Sequence, residues 1–203
     1  MSVIHETTMV PTKRELMAGW LPKQDWFEGG GTPVLSVAGG FRLDDPAGEV
    51  GLEMILVRDS GQGNPVLYHV SLSYRGAELA GAEEYLLGTS EHGVLGTRWI
   101  YDAAGDPVWQ RQMRALISGE VPAQHQNDSN ALDATVAVVL APQADGPGDV
   151  QTDVRGEVPQ PALAVIRRPE AGGSGSGGAC AWVNASWADA EGNIVAGAVV
   201  ELS

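Results

Sequence analysis

The stretch from Val66 to Tyr74 alternates Val-Leu-Tyr-His-Val-Ser-Leu-Ser-Tyr, and side chains two apart on an extended chain share a face. Val66, Tyr68, Val70, Leu72 and Tyr74 therefore line one face, while Leu67, His69, Ser71 and Ser73 point the other way. This is the pattern of a half-covered antiparallel strand, and such a strand needs neighbours. Residues 50–57 are the expected hairpin partner, joined through Asp59-Ser-Gly-Gln-Gly-Asn-Pro65, which is dense in turn formers. Residues 93–101 give a third strand, less regular because Gly96 interrupts it. Every other segment must fit around an antiparallel sheet with an apolar face to cover.

Two segments have the period and end signals of covering helices. Thr12 and Glu15 form a capping box, in which Thr12 accepts from a free N–H of the first turn and Glu15 reaches back. A helix over residues 12–21 follows, with Leu16 and Trp20 on one face and Pro22 ending it. Asp106 and Pro107 open the second, as N-cap and first helical residue. Trp109, Met113, Leu116 and Ile117 make its apolar stripe, Gln110, Arg111 and Arg114 face outward, and Gly119 stops it.

Residues 1–120 thus read as an α+β domain. Residues 121–133 are polar and unpatterned, and a linker is expected there. Beyond it, residues 134–141, 162–168, 179–187 and 194–202 have strand character, the last two joined in a hairpin around Ala190-Glu-Gly-Asn193. A β-rich appendage over 134–203 is expected, containing a flexible Gly/Ser connector at 172–178. That connector spells GxGxxG at Gly173, Gly175 and Gly178, but it leads into a strand rather than a helix, so no dinucleotide site is assigned.

The net charge of −14 disfavours nucleic acid and anionic membrane surfaces as partners. Apolar runs are strand-length, short of the roughly 20 residues of a membrane helix. One cysteine, Cys180, cannot make an internal disulfide, and no signal-peptide pattern is present, so a cytoplasmic location is expected.

Catalytic chemistry is not recognisable. There is no Walker lysine motif, and none of the four histidines, His5, His69, His92 and His125, begins the His-x-Asp of a phosphotransferase loop. No HExxH, CxxC or calcium loop occurs, so no catalytic residue, metal or cofactor is assigned. Glu91 and His92 are adjacent, which on a strand puts them on opposite faces and argues against a shared proton, leaving a structural or contact role. Trp99 and Tyr101 share one face, with Arg98 opposite. They are candidates for an aromatic platform on which a sugar ring stacks, in competition with plain core packing. Glu53 and His69 are polar groups in apolar strands, read as the wet face of a half-covered sheet.

Trp20-Leu21-Pro22, Gln24, Trp26-Phe27 and Gly29, then Tyr74-Arg75, Leu87-Gly88, Tyr101-Asp102 and Asp106-Pro107, in this order and spacing, resemble the N-terminal cap of maltokinase-type sugar kinases. The resemblance implies a cystatin-like antiparallel sheet packed with helices over residues 1–120, with the β appendage following. Glu91-His92-Gly93 and Arg98-Trp99 look closer still to stand-alone cap-like proteins of actinobacteria, some linked by name to trehalose and glycogen metabolism. The family's catalytic residues belong to kinase lobes that this sequence does not display, so none is carried over. What the resemblance implies is a non-catalytic accessory protein whose partner is a sugar kinase or another enzyme of glucan or trehalose metabolism. Glu91, His92, Arg98, Trp99 and Tyr101 are its candidate ligand or partner contacts. The alternative is a small carbohydrate-binding or hydrolytic domain with a saccharide ligand.

Overall fold

The computed structural model describes residues 9–61, 63–128, 131–142 and 161–203. Its elements, in order, are β1 (Met9–Val10), α1 (Lys13–Trp20), β2 (Leu35–Leu43), β3 (Gly51–Asp59), β4 (Val66–Arg75), β5 (Leu86–His92) and β6 (Gly96–Asp102). There follow α2 (Pro107–Ile117), β7 (Gln124–His125), β8 (Ala137–Leu140), β9 (Leu163–Val165), β10 (Ala181–Ala188) and β11 (Ile194–Leu202). Among the described residues the fold is α+β and mainly β: one 11-stranded antiparallel sheet and two α-helices.

Both helices begin as their sequences require. The Thr12 hydroxyl accepts from the Glu15 N–H at 3.3 Å, and Glu15 Oε2 accepts from the Thr12 N–H at 2.7 Å. Asp106 Oδ1 accepts from the Val108 N–H at 2.8 Å, with Pro107 at the first helical position. The two helices cover opposite faces of the same strands. Met17 and Trp20 of α1, with Leu21, pack on Ile55 and Val57 of β3, Tyr68, Val70 and Leu72 of β4, and Ile100 of β6. Trp109, Met113 and Leu116 of α2 pack on Leu52, Met54 and Leu56 of β3 and on Phe41 and Leu43 of β2. Strand β3 therefore buries both faces, which explains its unbroken apolar run Met54-Ile-Leu-Val57.

The sheet order is β1-β5-β6-β4-β3-β2-β10-β11-β9, with β7 also on β2 and β8 also on β10. The strands of 134–203 are thus not an appendage but a continuation of the same sheet. Trp187 of β10 pairs with Gly39 of β2, and Val183, Ala185, Trp187, Val199 and Val200 complete the core beneath α2. Gly39 allows this approach, because a Cβ there would lie 2.6 Å from the Ser186 carbonyl oxygen. Arg58 of β3 also donates to the Ala188 carbonyl across the junction.

At its far edge the sheet curls back. After β9, the Ile166 N–H bonds the Val199 carbonyl at 2.9 Å, and the Arg167 carbonyl accepts the His69 N–H at 2.9 Å, so one segment touches both β11 and β4. Arg167 pairs with Asp102 and lies 5.0 Å over the Trp26 ring, while Arg168 pairs with Glu28. The two basic residues fasten this strap to the first half of the chain.

Two further expectations are corrected. The expected linker carries β7, which pairs with β2, and buries Ala123 and Gln124; Ser129 and Asn130 lie outside the described residues. The Gly/Ser connector is laid along β11 rather than swinging free. Gly172 donates to Ala196 at 2.7 Å, Gly173 accepts from Ala198 at 3.0 Å, and Ser176 donates through N–H and hydroxyl to the Glu201 carboxylate.

Candidate contact surface

The candidate residues lie on one hairpin, β5–β6, whose register sets Glu91 opposite Thr97, Ser90 opposite Arg98 and Thr89 opposite Trp99. Its turn is tightened by His92, whose Nδ1 accepts the N–H groups of Val94 (3.3 Å) and Leu95 (3.1 Å). Accepting at Nδ1 places the ring proton on Nε2. Arg98 reaches over the same turn to the Leu95 carbonyl at 2.8 Å, and Glu91 Oε1 accepts from the Thr97 hydroxyl at 2.7 Å. These polar groups thus hold the hairpin end in shape.

Tyr101 is buried and its hydroxyl accepts from the Leu79 N–H at 2.8 Å, whereas Trp99 is half-buried. The two rings share a face as expected but form no open platform together, since Tyr101 is core. What the hairpin exposes instead is apolar. Val94 is 62% exposed, Leu95 45%, and Val10, on the strand that pairs with the outer edge of β5, 67%. Sequence reasoning missed these three. The signal was present: Val94-Leu95 sits between Gly93 and Gly96, where a hairpin turn ordinarily carries polar residues. An exposed apolar tip with a polar frame has the anatomy of a protein contact. A small-ligand site is instead concave and encloses most of its ligand.

Several buried polar groups elsewhere are engaged within the fold. Glu53, read as lying on the wet face, is 7% exposed and accepts from Lys13 at 2.7 Å, Tyr74 at 2.7 Å and Gln126 at 3.1 Å. Burial, and then the Glu53 charge, push the Tyr74 hydroxyl well above the usual phenol range, so it stays a donor. His69, also read as wet, is fully buried. Its Nδ1 lies 2.9 Å from the Val199 carbonyl and its Nε2 3.2 Å from the Ser71 hydroxyl. The two corrections have separate causes on opposite faces: Glu53 shares the face of Ile55 and Val57 and is covered from α1 by Lys13, while His69 lies on the other face, closed over by Val199 and the Arg167 segment from beyond residue 134. Burial raises the Asp106 pKa, but the two 2.7 Å bonds from Arg75 and the Val108 N–H outweigh it and hold the carboxyl below its ordinary value. Among the described residues no three of His, Cys, Asp and Glu converge as a metal site would require, and no helix is long and apolar enough to cross a membrane.

An antiparallel sheet covered by a capped N-terminal helix, with an apolar hairpin end directed outward, defines a mainly-β module. Residues 20–106 match the family model of the maltokinase N-terminal cap domain. The match spans β2 to β6 and the hairpin, and ends at the N-cap of α2. No curated protein matches the chain.

Proposed function

We propose that this protein is a non-catalytic cap-type accessory module of the cytoplasm that docks on a partner enzyme, a sugar kinase or another enzyme of glucan or trehalose metabolism. The observation that carries this reading is the hairpin end. Glu91, His92, Arg98 and Thr97 are occupied in shaping a turn whose exposed side chains are apolar. The cap-domain match over residues 20–106 is what suggests an enzyme of sugar metabolism as the partner. The cystatin-like likeness belongs to the same reading, with α1 lying across the face of β3, β4 and β6.

The test is affinity capture with the tagged chain beside a Val94→Asp, Leu95→Asp double variant. The wild type is expected to recover a defined sugar kinase or glucan or trehalose enzyme, and the variant to lose it at an unchanged melting temperature. Repeated capture of no such enzyme, or equal capture by both forms, contradicts the proposal. A second reading, saccharide binding, draws on half-buried Trp99 between Thr89 and Arg75. It requires maltose, trehalose or an oligosaccharide at millimolar concentration to raise the melting temperature, because a ligand of the native state alone stabilises it. A flat response across that panel removes it.

A further inference from the structure

The basic residues of this acidic chain are mostly consumed inside the fold. Lys13 is bonded to Glu53, Arg75 to Asp106, Arg167 to Asp102 and Arg168 to Glu28. Arg42 donates to the carbonyls of His125 and Asp128, Arg58 to that of Ala188 and Arg98 to that of Leu95. Among the described residues Arg14, Lys23, Arg111 and Arg114 make no such bond, and of these Arg111 and Arg114 stand together on one helix. They lie on the outward side of α2, three residues apart and so one above the other.

The surface around them is shaped. Pro107, Gln110, Ala115 and Ser118 join the two arginines along a shallow open depression of about 500 Å³ that follows the helix. From Pro107 to Ser118 it runs some three turns, about 16 Å at ~1.5 Å per residue. Glu120 closes one end, its carboxylate accepting from the Ser118 hydroxyl at 2.9 Å. A trough that long and open does not enclose a small molecule, but it matches an extended segment of polypeptide. Alternate side chains of such a segment recur every ~6.6–6.8 Å, within reach of two guanidinium groups one helical turn apart. Guanidinium groups pair with carboxylates in a two-pronged geometry. In a molecule of net charge −14, an acidic segment is repelled by most of the surface and drawn to this stripe.

We propose that the outward face of α2 is a docking site for an acidic, extended segment of a partner protein, with Arg111 and Arg114 as its carboxylate-binding pair. This surface is separate from the β5–β6 hairpin end, and the proposal does not depend on what that end contacts.

The experiment is fluorescence anisotropy of a labelled oligoglutamate peptide titrated with the full chain at low ionic strength. Saturable binding is expected, weakened about tenfold or more by the Arg111→Glu, Arg114→Glu double variant and lost in high salt, where the Debye length falls to a few Å. Arg14→Glu, a control at another exposed arginine, and Val94→Asp, Leu95→Asp are both expected to leave the peptide affinity unchanged. Absence of saturable binding overturns the proposal, as does equal weakening by Arg14→Glu, which would mark a diffuse charge effect. Sedimentation of the free chain completes the test: if the wild type self-associates and the α2 variant is monomeric, the face is a self-association surface and the proposal fails.

Discussion

His69 shows how a single side chain reports the closure of the whole sheet. Its ring is sealed between the Val199 carbonyl and the Ser71 hydroxyl, and its backbone N–H holds the strap at Arg167. Burial, and then the nearby Arg167 charge, lower its pKa from 6.5 to about 3, against the raising effect of the Val199 carbonyl. The folded pKa lies below the unfolded one, so between those values the unfolded chain binds more protons. The stabilising contribution is therefore complete above pH 6.5 and is lost as pH falls toward about 3. At ~1.4 kcal/mol per pH unit, this group alone removes about 2 kcal/mol between pH 6.5 and 5. Urea denaturation at the two pH values should show that slope in the wild type and a clearly smaller one in His69→Gln; equal slopes would mean that the ring is not sealed. The alternation from Val66 to Tyr74 revealed which residues share a face, but not that the His69 face is covered. The covering groups, Val199 and Arg167, are about a hundred residues further along the chain.

At the scale of elements, legibility followed locality. Both helices were readable because their end signals are written within a few residues: Thr12 with Glu15, and Asp106 with Pro107. Strands β3, β4, β6, β10 and β11 were readable from alternation and turn formers. Strand β2 was not, because Gly39-Gly40 breaks its pattern where β10 must come close, and β5 was not, because Thr89, Ser90 and Glu91 interrupt its apolar character. The candidate hairpin was located from sequence, while its exposed apolar tip was not, since attention to polar chemistry passes over Val94 and Leu95. Gly39 tests the junction. A valine there would put Cβ 2.6 Å from the Ser186 oxygen and 3.0 Å from the Trp187 Cα, both backbone atoms that cannot turn aside. Gly39→Val should cost about 1–3 kcal/mol by chemical denaturation, the usual range for overpacking. Gly19→Ala, inside α1 with nothing within 4 Å of its Cβ, should instead stabilise by about 0.5–1 kcal/mol. A neutral Gly39→Val would mean that β10 does not rest on β2 at this point.

For the whole molecule, the central claim is that the cap segment and the later strands are one folding unit. The core under α2 draws Phe41, Leu52, Met54 and Trp109 from the first half, and Val183, Trp187 and Val199 from the second. The strap then ties Arg167 and Arg168 back to Asp102 and Glu28. A linker and appendage were expected because residues 121–133 are polar, yet polarity along the sequence does not reveal that Gln124 and His125 pair with β2. The most direct measurement is native-state hydrogen exchange of the β3 amides, residues 52–57, against the β10 amides, residues 181–187, in the wild type and in Trp187→Ala. One folding unit predicts that both groups open with the same free energy and that Trp187→Ala lowers both equally, by about 3–5 kcal/mol. If β10 opens at a distinctly lower free energy, or if Trp187→Ala leaves β3 unchanged, the later strands are a separate unit and the claim is wrong.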